Sequence, residues 1–331
     1  MFQIRKEEVE ERMYNLVKKV KEGIWTGRTD HVENRASFRY HQIVELKQIE
    51  TLDSNRETCA IIGFESDEGV RRNKGQLGAA KAPNKLRSEL AKLPWKLSSK
   101  KHLIDLGTIE CTENDLDKAQ HQLGNVVNKA LNKEMTPIIL GGGHETAYGH
   151  YLGVRNYIGK AAKLGIINID AHFDLRPYND QSSSGTMFRQ ILEQDENSSY
   201  FVLGIQRYSN TQALFDKADE LGVTYICEED IHGERQVQVN VAIEEFIRKN
   251  DFIMLTLCTD VLNAAFAPGV SASSPFGLSP NTVRSIIRNV SSNEKTLSFD
   301  ISEVNPLLDE NNRTVKLGAY LVNEAITSFL N

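Results

Sequence analysis

The 331-residue chain has no run of about 18 apolar residues, so nothing in it reads as a membrane-spanning helix. It opens on Met1-Phe2-Gln3-Ile4-Arg5-Lys6-Glu7-Glu8, charged from the outset and without the apolar core of a secretion signal. Cysteine is scarce. Cys59, Cys111, Cys227 and Cys258 stand far apart with no paired spacing, which suits free thiols in a reducing compartment better than disulfides or a zinc ribbon. Together these absences predict a cytoplasmic protein with no membrane partner. A formal net charge of −6 without any basic cluster argues against nucleic acid as a partner. No G-x-G-x-x-G stands between a strand and a helix, which removes a dinucleotide-binding dehydrogenase.

What is present is alternation. Strand-like runs at Cys59–Phe64, Lys101–Leu106, Thr136–Leu140, Leu164–Asp170, Ser199–Ile205, Val223–Cys227, Phe252–Cys258 and Thr296–Phe299 are separated by helix-like stretches such as Asp115–Asn132 and Gln238–Arg248. This order predicts a single three-layer α/β/α domain with a mostly parallel sheet. Residues 1–52 read as a polar, helical N-terminal extension packed on a catalytic domain spanning 53–331. A glycine-bearing loop is expected at Gly69–Gly75.

Four of the strand-like runs stop on metal-seeking side chains. Asp170-Ala171-His172-Phe173-Asp174 places three candidate ligands at alternate positions, which share a face if the segment is extended. Gly141-Gly142-Gly143-His144 offers a tight turn that would bring backbone close to an ion. Cys258 and Asp260 end a third run, and Glu303 a fourth. Ligands of open α/β sheets bind outside the carboxyl ends of strands, so that edge is where chemistry is expected. Imidazoles with several carboxylates suit manganese or a similar ion better than a thiolate-rich zinc site.

As a set these motifs resemble the ureohydrolases, the arginase and agmatinase family of binuclear manganese hydrolases, from about Cys59 onward. The resemblance implies an arginase-like fold and two Mn2+ per subunit. It also implies His144, Asp170, His172, Asp174 and Asp260 as metal ligands, with Glu303 as the catalytic acid that receives an amidino group. It leaves room for a homo-oligomer. One departure stands out: Cys258 occupies the place of an aspartate that bridges both metals. A thiolate ligand and a protonated thiol beside a weakened position are both open at this point.

Ser183-Ser184-Gly185-Thr186-Met187-Phe188 and Asp174-Leu175-Arg176 resemble the formimidoylglutamase branch, as do the Arg72 loop and Trp25-Thr26-Gly27-Arg28-Thr29-Asp30. That branch implies a small-molecule substrate with carboxylates, met by Arg176, Arg72 and Phe188. The implied reaction, in histidine degradation, cleaves N-formimidoyl-L-glutamate to L-glutamate and formamide through a metal-activated hydroxide. Other ureohydrolase activities on guanidino acids, agmatine or arginine remain as alternatives. So does a ligand-binding relative impaired by Cys258.

Overall fold

The computed structural model describes residues 17–178, 181–231 and 233–331. Its centre is a parallel sheet built from β1 (Glu45–Leu46), β2 (Thr58–Glu65), β3 (His102–Glu110), β4 (Thr136–Leu140), β5 (Leu164–Ile169), β6 (Ser198–Ile205), β7 (Thr224–Cys227), β8 (Phe252–Cys258) and β9 (Thr296–Ser302). The strand order is β1-β3-β2-β4-β9-β8-β5-β6-β7. Because side chains alternate along each strand, the sheet carries two apolar faces. Ile138, Ile167, Leu255 and Phe299 meet the helices Ala82–Leu90, Gln236–Lys249, Pro280–Ser291 and Arg313–Phe329 on one side. Ile139, Ile166, Val202 and Met254 meet Leu116–Asn132, Thr146–Ile158, Met187–Gln194 and Gln212–Glu220 on the other. This is the expected three-layer α/β/α arrangement with a parallel sheet. No helix among the described residues is long and apolar enough to cross a membrane.

The order of strands positions the site. β4 and β5 follow one another in the chain, yet β9 and β8 lie between them. The chain therefore winds outward in opposite directions from this point, and its carboxyl ends open a crevice there. The four runs that end on metal-seeking residues are β4, β9, β8 and β5, four neighbours in the middle of the sheet.

The expected helical extension is different where it is described. Residues 17–52 contain short 3-10 turns at Arg35–Ser37, Tyr40–Gln42 and Ile49–Thr51, plus the edge strand β1, and no α-helix; residues 1–16 lie outside the described residues. Gly23, Gly27, Asp30 and Asn34 favour turns, and Asn34 spends its side chain on the Ala36 N–H instead of extending a helix. Tertiary latches fix the segment. Trp25 donates its indole N–H to buried Asp105 at 2.8 Å, and Tyr40 packs edge-on against Trp95 while its hydroxyl donates to Asn323. Asp30 takes both Arg28 and Arg39. The W-x-G-R-x-D segment thus does structural work far from the crevice.

Gly69–Gly75 also departs from expectation. Glu68–Arg72 is a short helix, because the buried Glu68 carboxylate receives Arg71 and Arg72 three and four positions on.

Candidate metal centre

β5 delivers Asp170 at its end, fully buried, with Oδ1 accepting the His172 N–H at 2.8 Å and Oδ2 accepting the Asn168 amide at 3.0 Å. The backbone does not stay extended beyond it. Asp174 sits at φ +53°, a left-handed conformation that turns its carboxylate back toward β4. Convergence is as expected, but it comes from this turn and not from a straight strand. His144 Nδ1 lies 2.9 Å from Asp174 Oδ2 and 3.0 Å from Asp170 Oδ2. His172 Nδ1 lies 3.1 Å from Asp260 Oδ2 and 3.6 Å from Asp170 Oδ1. Ligand atoms of His144, Asp170 and Cys258 all fall within 4.8 Å of one another, and so do those of Asp170, His172 and Asp260. Asp170 belongs to both trios.

The glycines before His144 serve a close approach of another kind than the one expected. A Cβ on Gly142 would stand 1.8 Å from the Ser66 carbonyl, and one on Gly143 would stand 2.1 Å from Glu145 Oε2. They let the turn nest against the chain after β2, where the Ser66 hydroxyl and Gly69 N–H both donate to Glu145 Oε1. Glu303 follows β9 at φ +67°, and its Oε1 accepts the His144 backbone N–H at 2.9 Å. Two non-glycine residues in the left-handed region at one site mark strain held by its surroundings.

The protein atoms alone crowd acidic groups together here. Burial pushes Glu303 up to about 8, with Glu145 and Asp260 adding repulsion. Asp174 is pushed up to about 6 by burial and by Asp170. Burial opposes charge on His144, yet the Asp170 and Asp174 carboxylates outweigh it and hold the imidazole well above its ordinary value. Asp260 Oδ1 is buried without any hydrogen-bond partner. A buried carboxylate oxygen with no donor is costly unless a cation meets it. Two imidazoles, several carboxylates and an orphaned oxygen fit divalent cations well.

Around the trios lies a cleft of about 260 Å³, lined also by Asn73, Arg176, Ser184, Asn210, Ser271 and Glu303. A larger hollow of about 320 Å³ sits between β1, β3 and Leu116–Asn132, but no metal-ligating trio of the described residues opens into it.

An arginase-family profile matches residues 57–327. The chain belongs to the arginase family. It is 56% identical over 310 residues to a formimidoylglutamase of Lysinibacillus sphaericus, covering 92% of this chain and 96% of the relative. A formimidoylglutamase of Geobacillus sp. is 50% identical over 306 residues, covering 92% and 94%. The crystal structure of formimidoylglutamase from Bacillus subtilis superposes with a TM-score of 0.78 at 22% identity, covering 93% of this chain and 96% of that one. Trypanosoma cruzi formiminoglutamase with Mn2+2 gives 0.74 at 24%, covering 86% and 99%. These last two speak to the fold.

Within this arginase-family framework, two residues expected to touch substrate do not line the cleft. Arg72 spends its guanidinium on Glu68 (2.8 Å), the Ser182 carbonyl (3.2 Å) and the Asn114 carbonyl (3.1 Å), bracing one loop against another. Phe188 is fully buried; its ring stacks on Tyr200 at 4.2 Å and meets the His144 ring edge-on at 5.6 Å. It packs against a candidate ligand and does not line the cleft. Arg176 is exposed in the cleft and has no side-chain partner among the described residues.

Cys258 sits in the trio at 2% exposure, its thiol pushed well up by burial and by Asp170, Asp260 and Glu303. Two cations would reverse that field. A cobalt-loaded chain is expected to show thiolate-to-metal absorption in the near ultraviolet that disappears in Cys258→Ser. Identical spectra would place the sulfur outside the coordination sphere.

Residues that the sequence motifs did not flag surround these ligands: Asn168 and Tyr200 behind Asp170, Glu145 beside His144, and Thr256 behind the imidazole. A signal for them existed. Polar residues at every second position of otherwise apolar buried strands, as in Thr256/Cys258 and Ser298/Asp300/Ser302, need partners.

Proposed function

We propose that this chain hydrolyses N-formimidoyl-L-glutamate to L-glutamate and formamide, as a cytoplasmic enzyme of histidine degradation whose catalytic unit is residues 53–331. The observation that carries this is the Arg176 guanidinium, without a side-chain partner among the described residues, in the same cleft as two ligand trios and Glu303. Relatives at 49–56% identity that bear the name formimidoylglutamase support it.

His144, Asp170, Asp174 and Cys258 would hold one cation, and Asp170, His172 and Asp260 the other. Manganese, the ion in the Trypanosoma cruzi relative, suits this donor set. When bound, such a pair would supply the Lewis acidity that makes water nucleophilic near neutral pH. The rest is the work of side chains. Glu303, anchored by the His144 N–H, accepts from the formimidoyl nitrogen and favours its cationic form. Arg176 pairs with a carboxylate of the glutamyl part and holds the reacting carbon over the trios. Water adds to that carbon, the bond to the glutamyl nitrogen breaks, and the nitrogen leaves carrying a proton.

In steady-state assays with manganese, kcat/KM for formimidoylglutamate is expected to exceed that for arginine, agmatine and 4-guanidinobutyrate by about 10²-fold or more. Arg176→Gln should raise KM and lower kcat/KM by about 10–100-fold, the worth of one charged hydrogen-bond pair. Preference for one of the other three substrates would sink the assignment. Unchanged KM in the Arg176 variant would remove that residue from the substrate site.

A further inference from the structure

Behind His144 runs a chain of buried polar groups that the reaction above does not use. β8 and β9 pair in parallel with Thr256 opposite Asp300 and Cys258 opposite Ser302. Alternation puts Thr256 and Cys258 on one face, together with Ser298, Asp300 and Ser302. Leu255, Leu257, Phe299 and Ile301 point the other way into an apolar core. The helix Thr146–Ile158 covers the polar face and brings His150 onto it. His150 Nδ1 lies 2.7 Å from Asp300 Oδ2, and its Nε2 lies 2.5 Å from Ser298 Oγ. Asp300 Oδ1 accepts the Thr256 hydroxyl at 2.9 Å and the Ser302 hydroxyl at 3.3 Å. Thr256 Oγ1 in turn lies 3.0 Å from His144 Nε2. His150, Thr256, Ser298 and Asp300 are all fully buried.

Direction along this chain follows from donor counting. A carboxylate oxygen only accepts, so the single proton of Thr256 is committed to Asp300. The Thr256 oxygen then meets His144 as an acceptor, which requires the imidazole proton on Nε2. Nδ1, the atom facing Asp170 and Asp174, is left with its lone pair free for a cation. An imidazole ligand commonly has its other nitrogen fixed by an outer hydrogen bond in this way.

We infer that Asp300 and His150 are positioning residues which, through Thr256, fix the tautomer and ring angle of His144 so that Nδ1 is its metal-ligating atom. His150 locks Asp300 from the helix side, and Asp300 orients the hydroxyl. The inference rests on His144 being a ligand, as in the proposed function, and is independent of which substrate is cleaved.

The test uses the full chain stripped of metal and titrated with manganese. Thr256→Val keeps the side-chain shape and removes the hydroxyl, whereas Thr256→Ser restores it. Wild type is expected to take two cations. Thr256→Val should bind one of them about 10–100-fold more weakly, while the other cation and both cations of Thr256→Ser stay within about threefold of wild type. Asp300→Asn and His150→Gln should weaken the same cation. In zinc-loaded, nitrogen-15-labelled protein, the proton of His144 should reside on Nε2. Tight binding of both cations by Thr256→Val, or a His144 proton found on Nδ1, overturns the inference alone. A wild-type chain that takes no divalent cation overturns the metal reading as well.

Discussion

Asp170→Asn is expected to abolish tight binding of both cations and to lower kcat/KM by about 10³-fold or more, roughly 4 kcal/mol of transition-state stabilisation. Among the described residues Asp170 alone belongs to both trios, so its loss strikes both positions at once. Asparagine is nearly isosteric and its carbonyl oxygen could keep one of the two short contacts to the Asn168 amide and the His172 N–H. The loss should therefore be in charge and chelation more than in fold. Metal analysis, circular dichroism and turnover on one preparation separate the outcomes. A folded Asp170→Asn chain that retained two cations per subunit would refute the shared-ligand arrangement.

The second large effect lies on β3, separated from β4 by β2. Arg87 and Asp105 are both wholly buried and form a bidentate pair at 2.7 and 2.9 Å. Arg87 also donates to the Gly107 carbonyl and the Thr108 hydroxyl, while Asp105 accepts the Trp25 indole and the Gly107 N–H. Every strong donor and acceptor of the pair is satisfied. Asp105→Ala would leave a guanidinium buried without its counter-charge and release the Trp25 latch. Destabilisation of about 3–5 kcal/mol is expected, since the uncompensated charge must be solvated or expelled. In thermal unfolding this corresponds to a fall of roughly 5–15 °C in Tm. Replacing both partners, as in Arg87→Met with Asp105→Leu, should cost less than Asp105→Ala alone. Activity of the folded fraction should be little changed, because the pair lies under the N-terminal segment and away from the cleft. A Tm within one or two degrees of wild type would show that the pair adds nothing to its apolar replacement.

How far the sequence reached differs between the ligands and their surroundings. Periodicity located the buried strands to within a few residues, because a strand covered on both faces must be apolar along its length. The metal-seeking ends were legible for the complementary reason: His144, Asp170, His172, Asp174 and Asp260 break apolar runs at a charge that would be costly to bury alone. Arg72 and Phe188 lie outside the lining of the cleft around the trios. Motif likeness gives a residue's position along the chain, while the direction of its side chain depends on Glu68, Ser182 and Tyr200, which arrive from other segments. The region 1–52 looked helical by polarity, yet its described part, 17–52, is turns and a short edge strand, since its conformation is set by Asp105, Trp95 and Asn323 from other segments.

By itself the amino-acid order determined the α/β class and the strand ends that carry metal-seeking side chains. Only the tertiary structure decided that β4, β9, β8 and β5 are neighbours, so that residues from 144 to 303 share one cleft. It alone decided that Arg176 has no side-chain partner among the described residues while Arg72 is engaged, and that a threonine and a second histidine stand behind His144. The physical reason is that periodicity and charge are local properties of a chain. Register, side-chain partnership and burial come from long-range pairing, which fixes which donor each acceptor finds.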